Sequence, residues 1–488
     1  MIGSRLSRRD FLRITGLSSL AVGAPVGALR ADNPSSKSPN IVFILVDDLG
    51  WSDLACYGAD LHETPNIDRL AGQSMRFTNA YAASPVCTPT RASIMTGKHP
   101  ARLHMTVWRE NTLREPDRSR KLIPPQCVSD LPHEEFTIAE ALKQAGYQTA
   151  HVGKWHLGAA THYPETQGFD VNIGGTIWGA PNTYFYPYRG TEHYRENRYV
   201  PHLEFGKEGE YLTDRLTSEA LTLMEKMKDG PFFLNLAYHT VHTPIEGKPD
   251  LVEYYKGKIQ PGMRHQHPGY AAMVHSLDEN VGRILAKIDT LGISENTIVI
   301  LFSDNGGYIN IKDGAPVTNN YPLRSGKGSL YEGGIREPLL VRWPGVTQPG
   351  TVCNEPVCSI DFYPTLLDML NLPGDEKHNR AVDGISLAPL LKDRNAGLNR
   401  EAMYWHYPHY YFYPETSPVG AMRLGDWKLL EHFEDGHLEL FNLQDDPQEE
   451  KDLAQLLPEK ATELHNALKE WRTQVNAQLP ERNPDKAE

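Results

Sequence analysis

The sequence predicts an α/β protein: a doubly wound mixed sheet, then a smaller C-terminal antiparallel sheet with one covering helix. Three observations predict it. Four apolar, strand-like runs each end in polar residues capable of chemistry. Helical patterns lie between them, for example Phe136 to Ala145 and Tyr270 to Leu291, and alternating β and α elements indicate a doubly wound sheet. Near the C-terminus, strand-like segments follow one another directly: Ala402 to Tyr407, Ala421 to Leu424, Trp427 to Glu431 and Leu438 to Asn442.

The chain opens with Ser7-Arg8-Arg9-Asp10-Phe11-Leu12-Arg13 before an apolar stretch from Ile14 to about Leu29. This resembles a bacterial twin-arginine export signal over residues 1–31, with small residues at Val26-Gly27-Ala28 and Ala31 as cleavage points. It implies a twin-arginine translocase as partner and a periplasmic or extracellular location. The stretch is short and rich in Gly, Ser and Ala, so no stable membrane span is expected.

The first strand-like run is Asn40 to Val46, followed by Asp47-Asp48. A continuous β-branched run marks a parallel strand buried on both faces. Gln148 to Val152 leads into Gly153-Lys154-Trp155-His156, and Pro231 to Tyr238 leads into His239-Thr240-Val241-His242. Thr297 to Ser303 leads into Asp304-Asn305. In open α/β sheets, sites lie outside the carboxyl ends of the strands. Four strands therefore bring Asp-Asp, Lys-x-His, His and Asp-Asn to one edge.

Between the first two runs stands Cys87-Thr88-Pro89-Thr90-Arg91. Thr88 suits an N-cap, Pro89 the first helical position, and Gly97 the helix stop. Cys87 then sits at a helix N-terminus with Arg91 four residues on, a candidate nucleophile or anion site.

The residue types sort by chemistry. Asp47, Asp48, Asp304 and Asn305 are hard oxygen ligands suited to Ca²⁺ or Mg²⁺, and close carboxylates repel without a cation. Arg91, Lys154, His156, His242 and Lys327 suit an anionic ester and its leaving group. Taken singly, each has an ordinary structural explanation as a turn, a cap, a surface lysine or a core histidine; together they form a constellation. The formal charge of −13 over 488 residues argues against a nucleic-acid partner, so an anionic substrate needs a locally basic pocket. The five cysteines are odd in number, Cys87 is the one expected to stay free, and export in the folded state predicts no disulfide framework.

Cys87-Thr88-Pro89-Thr90-Arg91 with Ser93-Ile94-Met95-Thr96-Gly97 is similar to the signature of the type I sulfatases. Gly153 to Gly158, Leu323 to Gly328 and Tyr331 to Pro338 resemble further signatures in the expected order. The resemblance runs from about Pro39 into the C-terminal region. It implies an alkaline-phosphatase-like domain and a small C-terminal domain. It also implies Cys87 oxidised to formylglycine by a sulfatase-maturing enzyme, and Ca²⁺ held by Asp47, Asp48, Asp304, Asn305 and residue 87. Arg91, Lys154, His156, His242 and Lys327 match the sulfate-binding and catalytic positions. His242 is preferred to His239 because His242-Thr243-Pro244 fits the family's His-x-Pro pattern better.

The expected domains are 38–395 for the catalytic part and 396–488 for a small α+β unit. Tyr363 to Leu370 is a helix of the large domain. A helix from Pro458 to Val475, with Leu464, Leu468 and Trp471 on one face, closes the chain. The expected substrate is a sulfated carbohydrate of galactose or N-acetylgalactosamine type. The aromatic stretches Trp178 to Tyr186 and Tyr404 to Tyr413 offer stacking faces, and His104, Arg109, Asn111 and Arg189 offer polar contacts. The rival readings are a phosphate mono- or diester hydrolase of the same superfamily and a non-catalytic sulfated-glycan binder.

Overall fold

The computed structural model describes residues 38–412 and 416–486; the twin-arginine segment and Tyr413 lie outside them. Nine strands form the large sheet: β1 (Asn40–Val46), β2 (Met75–Tyr81), β3 (Gln148–Gly153), β4 (Val171–Ile173), β5 (Phe232–Ala237), β6 (Thr297–Ser303), β7 (Arg336–Arg342), β8 (Thr351–Cys353) and β9 (Val357–Cys358). Their order is β8-β2-β7-β6-β1-β5-β3-β4, with β9 also on β2. β7 runs antiparallel to both neighbours and every other pairing is parallel, so the sheet is mixed.

β1 lies between β5 and β6, with Leu45 opposite Ala237 and Phe302. That register brings the C-terminal ends of three strands level. Both faces of β1 are covered, because Val42, Ile44 and Val46 belong to one apolar cluster while Ile41, Phe43 and Leu45 belong to another. The first cluster is closed by helices Leu212–Met227 and Pro268–Thr290, the second by Cys87–Thr96, Ile138–Gln144 and Phe362–Leu370. Continuous apolar runs are what a strand between two helical layers requires.

Four strands, β10 (Met403–Tyr407), β11 (Val419–Leu424), β12 (Trp427–His432) and β13 (Leu438–Asn442), form an antiparallel sheet in sequential order. One face packs Trp405, Tyr407 and Leu430 against Tyr81, Val86 and Ile335 of the large part. Leu464, Leu468 and Trp471 of helix Pro458–Gln474 cover the other face. This helix does not close the chain: Glu481–Arg482 returns to pair antiparallel with Leu122–Ile123.

The expected helix cap at Thr88 is corrected. The helix begins at Cys87 after Val86, with no side-chain cap. The Thr88 hydroxyl instead donates to His156 O at 3.1 Å. Gly97 ends the helix with φ 69°, a left-handed conformation that favours glycine.

Candidate active site

Cys87 lies at the floor of a cavity of about 170 Å³, with Asp48, His156, His242 and Lys327 also in its lining. The strand ends deliver these groups. Asp47 and Asp48 follow β1, Lys154 and His156 follow β3, His242 follows β5, and Asp304 and Asn305 follow β6. Asp48 and His156 both have φ 61°, an uncommon conformation for non-glycine residues that occurs where a site over-determines the backbone.

Asp47, Asp48, Asp304 and Asn305 are buried together. Asp48 N donates to Asp304 Oδ1 at 3.2 Å, and Asn305 Nδ2 donates to Asp48 Oδ1 at 2.7 Å. Asp47 Oδ1 and Asn305 Oδ1 are buried without a hydrogen-bond partner. Burial, with Asp304 and Asp48 adding to it against Lys154, raises Asp47 well above the usual carboxylate range. Orphaned oxygens among crowded carboxylates fit a hard divalent cation.

The cations bracket this set. Arg91 Nε donates to Asp304 Oδ2 at 2.8 Å and Nη1 to Lys154 O at 2.9 Å, so Arg91 braces the carboxylates from behind. Lys154 Nζ bonds Asp47 Oδ2 at 2.7 Å and is fully buried beneath the cavity wall. Lys327 Nζ reaches Asp48 Oδ1 at 2.6 Å and Oδ2 at 2.8 Å and does face the cavity. Burial raises the Cys87 thiol, but Lys154, His156 and Lys327 outweigh it and bring it down to about 6. Position 87 therefore sits in a field that favours negative charge.

His156 Nδ1 lies 3.3 Å from Cys87 Sγ, and Nε2 lies 2.6 Å from Glu110 Oε2. Gly179 N donates to Glu110 Oε1 at 2.9 Å. A Cβ on Gly179 would stand 2.3 Å from His156 Cε1, so this close approach requires glycine. Burial lowers His156, but Glu110 and Cys87 outweigh it and raise it. Burial likewise opposes charge on Glu110, yet His156 holds it well below the usual range. Burial keeps His242 neutral at ordinary pH, its Nδ1 is 2.8 Å from Thr243 O, and Nε2 is 3.6 Å from Asp48 Oδ2. His239 is buried outside the cavity lining.

Other expectations divide. Tyr404 stacks on Trp471, and Trp405, Tyr407 and Tyr184 are core residues. Gly179, Ala180, Tyr411 and Phe412 line the cavity. Three of the four polar residues expected near substrate sit elsewhere. Arg109 is buried against Asp130 at 2.8 Å, His104 Nε2 is 2.8 Å from Asn476 O, and Arg189 is exposed away from the cavity. Asn111 lines a neighbouring groove. The reading from sequence missed Trp108, Glu110, Arg114, Tyr194 and Arg198, all in the lining. Glu110 stands beside two residues that were named; the short helix Arg109–Thr112 carries Arg109 to Asp130 and Glu110 to His156.

A buried hard-ligand cluster, a low thiol with a histidine beside it and two lysines define a hydrolase for an anionic ester. Comparison with known proteins narrows the class. The Sulfatase family model matches residues 39–372, and that of N-sulphoglucosamine sulphohydrolase, C-terminal, matches residues 326–478. A protein named Sulfatase from Formosa agariphila is 30% identical, covering 94% of this chain and 93% of its own. N-acetylgalactosamine-6-sulfatase from Homo sapiens is 34% identical, covering 75% of this chain and 67% of its own. The crystal structure of Ps i-CgsB in complex with k-i-k-neocarrahexaose matches with a TM-score of 0.74 and 29% identity, covering 89% of this chain and 92% of that one. The chain belongs to the sulfatase family: it is a sulfuric ester hydrolase with an alkaline-phosphatase-like fold.

Proposed function

We propose that this sulfatase releases sulfate from a sulfated carbohydrate of galactose or N-acetylgalactosamine type. In this reading position 87 works as formylglycine and Asp47, Asp48, Asp304, Asn305 and residue 87 hold Ca²⁺. The observation that carries it is position 87 itself, set against the Glu110–His156 pair and close to the buried ammonium groups of Lys154 and Lys327. The aromatic lining, with Trp108, Tyr194, Tyr308, Tyr411 and Phe412, supports a sugar as the alcohol portion.

Calcium, when bound, would supply a Lewis acid beside position 87, and formylglycine would supply a hydrated aldehyde as nucleophile. The chain's own groups do the rest. Lys327, which faces the cavity, stabilises negative charge on the sulfate oxygens, and buried Lys154 adds to the positive field at position 87. Lys327, held as an ammonium by Asp48, carries the proton for the departing sugar hydroxyl, and neutral His242 stands beside it as a hydrogen-bonding partner. His156 donates Nε2–H to Glu110, which leaves the Nδ1 lone pair facing position 87 to take a proton there as sulfate is released. Export by the twin-arginine route and modification by a formylglycine-generating enzyme belong to the same proposal, supported by Arg8-Arg9 and the motif at Cys87.

The test is sulfate release from a panel of sulfated saccharides, against a simple aryl sulfate and its matched phosphate ester. The expected result is the highest kcat/KM for a saccharide, lost on exhaustive chelation and restored by Ca²⁺. Mass spectrometry of the peptide containing residue 87 is expected to show formylglycine. A preference for the aryl ester across the panel would overturn the carbohydrate assignment, and an unmodified thiol in active enzyme the nucleophile.

A further inference from the structure

A groove of about 740 Å³ opens beside the catalytic cavity, and the two share Trp108, Arg114, Tyr411 and Phe412. Residues 111–127 form one wall and residues 409–412 the other. At the junction Trp108 packs against Phe412 with ring centroids 5.5 Å apart, and Phe412 is still 63% exposed. A large ring left open beside a polar catalytic pocket is a stacking face for the next unit of a chain-like substrate.

The groove also exposes guanidinium groups. Arg114, Arg118 and Arg120 line it, with Glu115 and Asp117 as the opposing carboxylates. Asp117 is engaged: it accepts from Ser119 N at 2.9 Å and Ser119 Oγ at 2.6 Å, and lies 3.4 Å from Arg120. Arg120 is further held over the Tyr410 ring at 4.9 Å. Arg114 and Arg118 are exposed and make no ion pair among the described residues. They are the free anion-binding groups of the wall.

The wall is held from behind by the end of the chain. Asn483 Nδ2 donates to Arg118 O at 3.0 Å and to Arg120 O at 2.7 Å, and Asn483 N donates to Lys121 O at 2.9 Å. With the pairing of Glu481–Arg482 on Leu122–Ile123, the tail fixes the backbone that carries the arginines. A surface fixed in this way loses less entropy when it binds.

We propose that this groove is a second binding site for the substrate. It takes a sulfate-bearing sugar unit next to the one whose sulfate is cleaved. The neighbouring sulfate meets Arg114 and Arg118, and the sugar face lies on Phe412. The inference rests on the carbohydrate reading above and extends it: the preferred substrate is a polysulfated oligosaccharide, not a monosulfated sugar.

The test compares kcat/KM for monosulfated monosaccharides and fully sulfated hexasaccharides of the galactan and N-acetylgalactosamine types. It uses the wild type, Arg114→Ala with Arg118→Ala, Arg118→Glu, and Phe412→Ala. These positions are exposed, and thermal melts check that each variant is folded. The wild type is expected to prefer a hexasaccharide, and the double substitution to lower that preference about tenfold, mainly through KM. Arg118→Glu is expected to lower it further. A preference unmoved by all three variants overturns the groove assignment and leaves the carbohydrate reading standing. Turnover of an aryl sulfate with no turnover of any saccharide overturns both.

Discussion

His156 is directed by whatever holds its far nitrogen. Glu110 accepts from Nε2, Gly179 N grips the other carboxylate oxygen, and Arg198 stands 3.7 Å behind it. The ring is thereby fixed in the tautomer that offers Nδ1 to position 87. Glu110→Gln keeps the shape but removes the charge and lets an amide N–H face Nε2. We expect kcat to fall by about 10²-fold or more and KM to fall with it, because the proton at position 87 has lost its acceptor and the sulfated intermediate accumulates. A stoichiometric burst of released alcohol and a sulfated residue 87 in the mass spectrum should accompany the fall. A rise in KM alone would reduce Glu110 to a wall of the cavity.

The elements show why some of this was legible in the sequence and some was not. β1, β5 and β6 read clearly because strands covered on both faces must be apolar throughout, and the polar residues that stop them stand at the site. The start of helix Cys87–Thr96 did not read correctly. Local rules assign the Thr88 hydroxyl to a cap, whereas the fold uses it on His156 O, 68 residues away. Glu110 was invisible for the same reason, since its partner lies 46 residues on. At this scale the site depends on the layer behind it. Phe362 opens helix Phe362–Leu370 and packs edge-on to Phe43 at 5.0 Å and Phe302 at 5.1 Å, beneath the strands that carry Asp47 and Asp304. Phe362→Ala should destabilise the fold by about 3–5 kcal/mol, read as a lower denaturant midpoint at unchanged slope. A loss below about 1 kcal/mol would mean that the layer closes over the gap.

Across the whole molecule, the two sheets are joined by a buried charge cluster as well as by apolar contact. Glu332 accepts from Tyr81 OH at 2.6 Å, and Lys428 Nζ stands 2.9 Å from Glu332 and 2.8 Å from Glu449. One ammonium thus serves two carboxylates. Burial opposes charge on Glu332, but Lys428, Arg336 and Arg423 outweigh it and lower it from 4.5 to about 2. Burial raises Glu449 from 4.5 to about 7, with Lys428 only partly offsetting it and Glu332 adding to the rise. The signs are opposite. The stability contributed by Glu332 is present above 4.5 and lost as pH falls towards about 2. Folded Glu449 keeps a proton that the unfolded chain has released, so its contribution is lost as pH rises from 4.5 through about 7. Glu449→Gln fixes that position as neutral. The wild-type melting temperature should therefore fall between about pH 5 and about pH 7.5 more steeply than that of the variant. Equal slopes over that window would mean that Glu449 is ionised in the folded protein and that Lys428 bridges two anions.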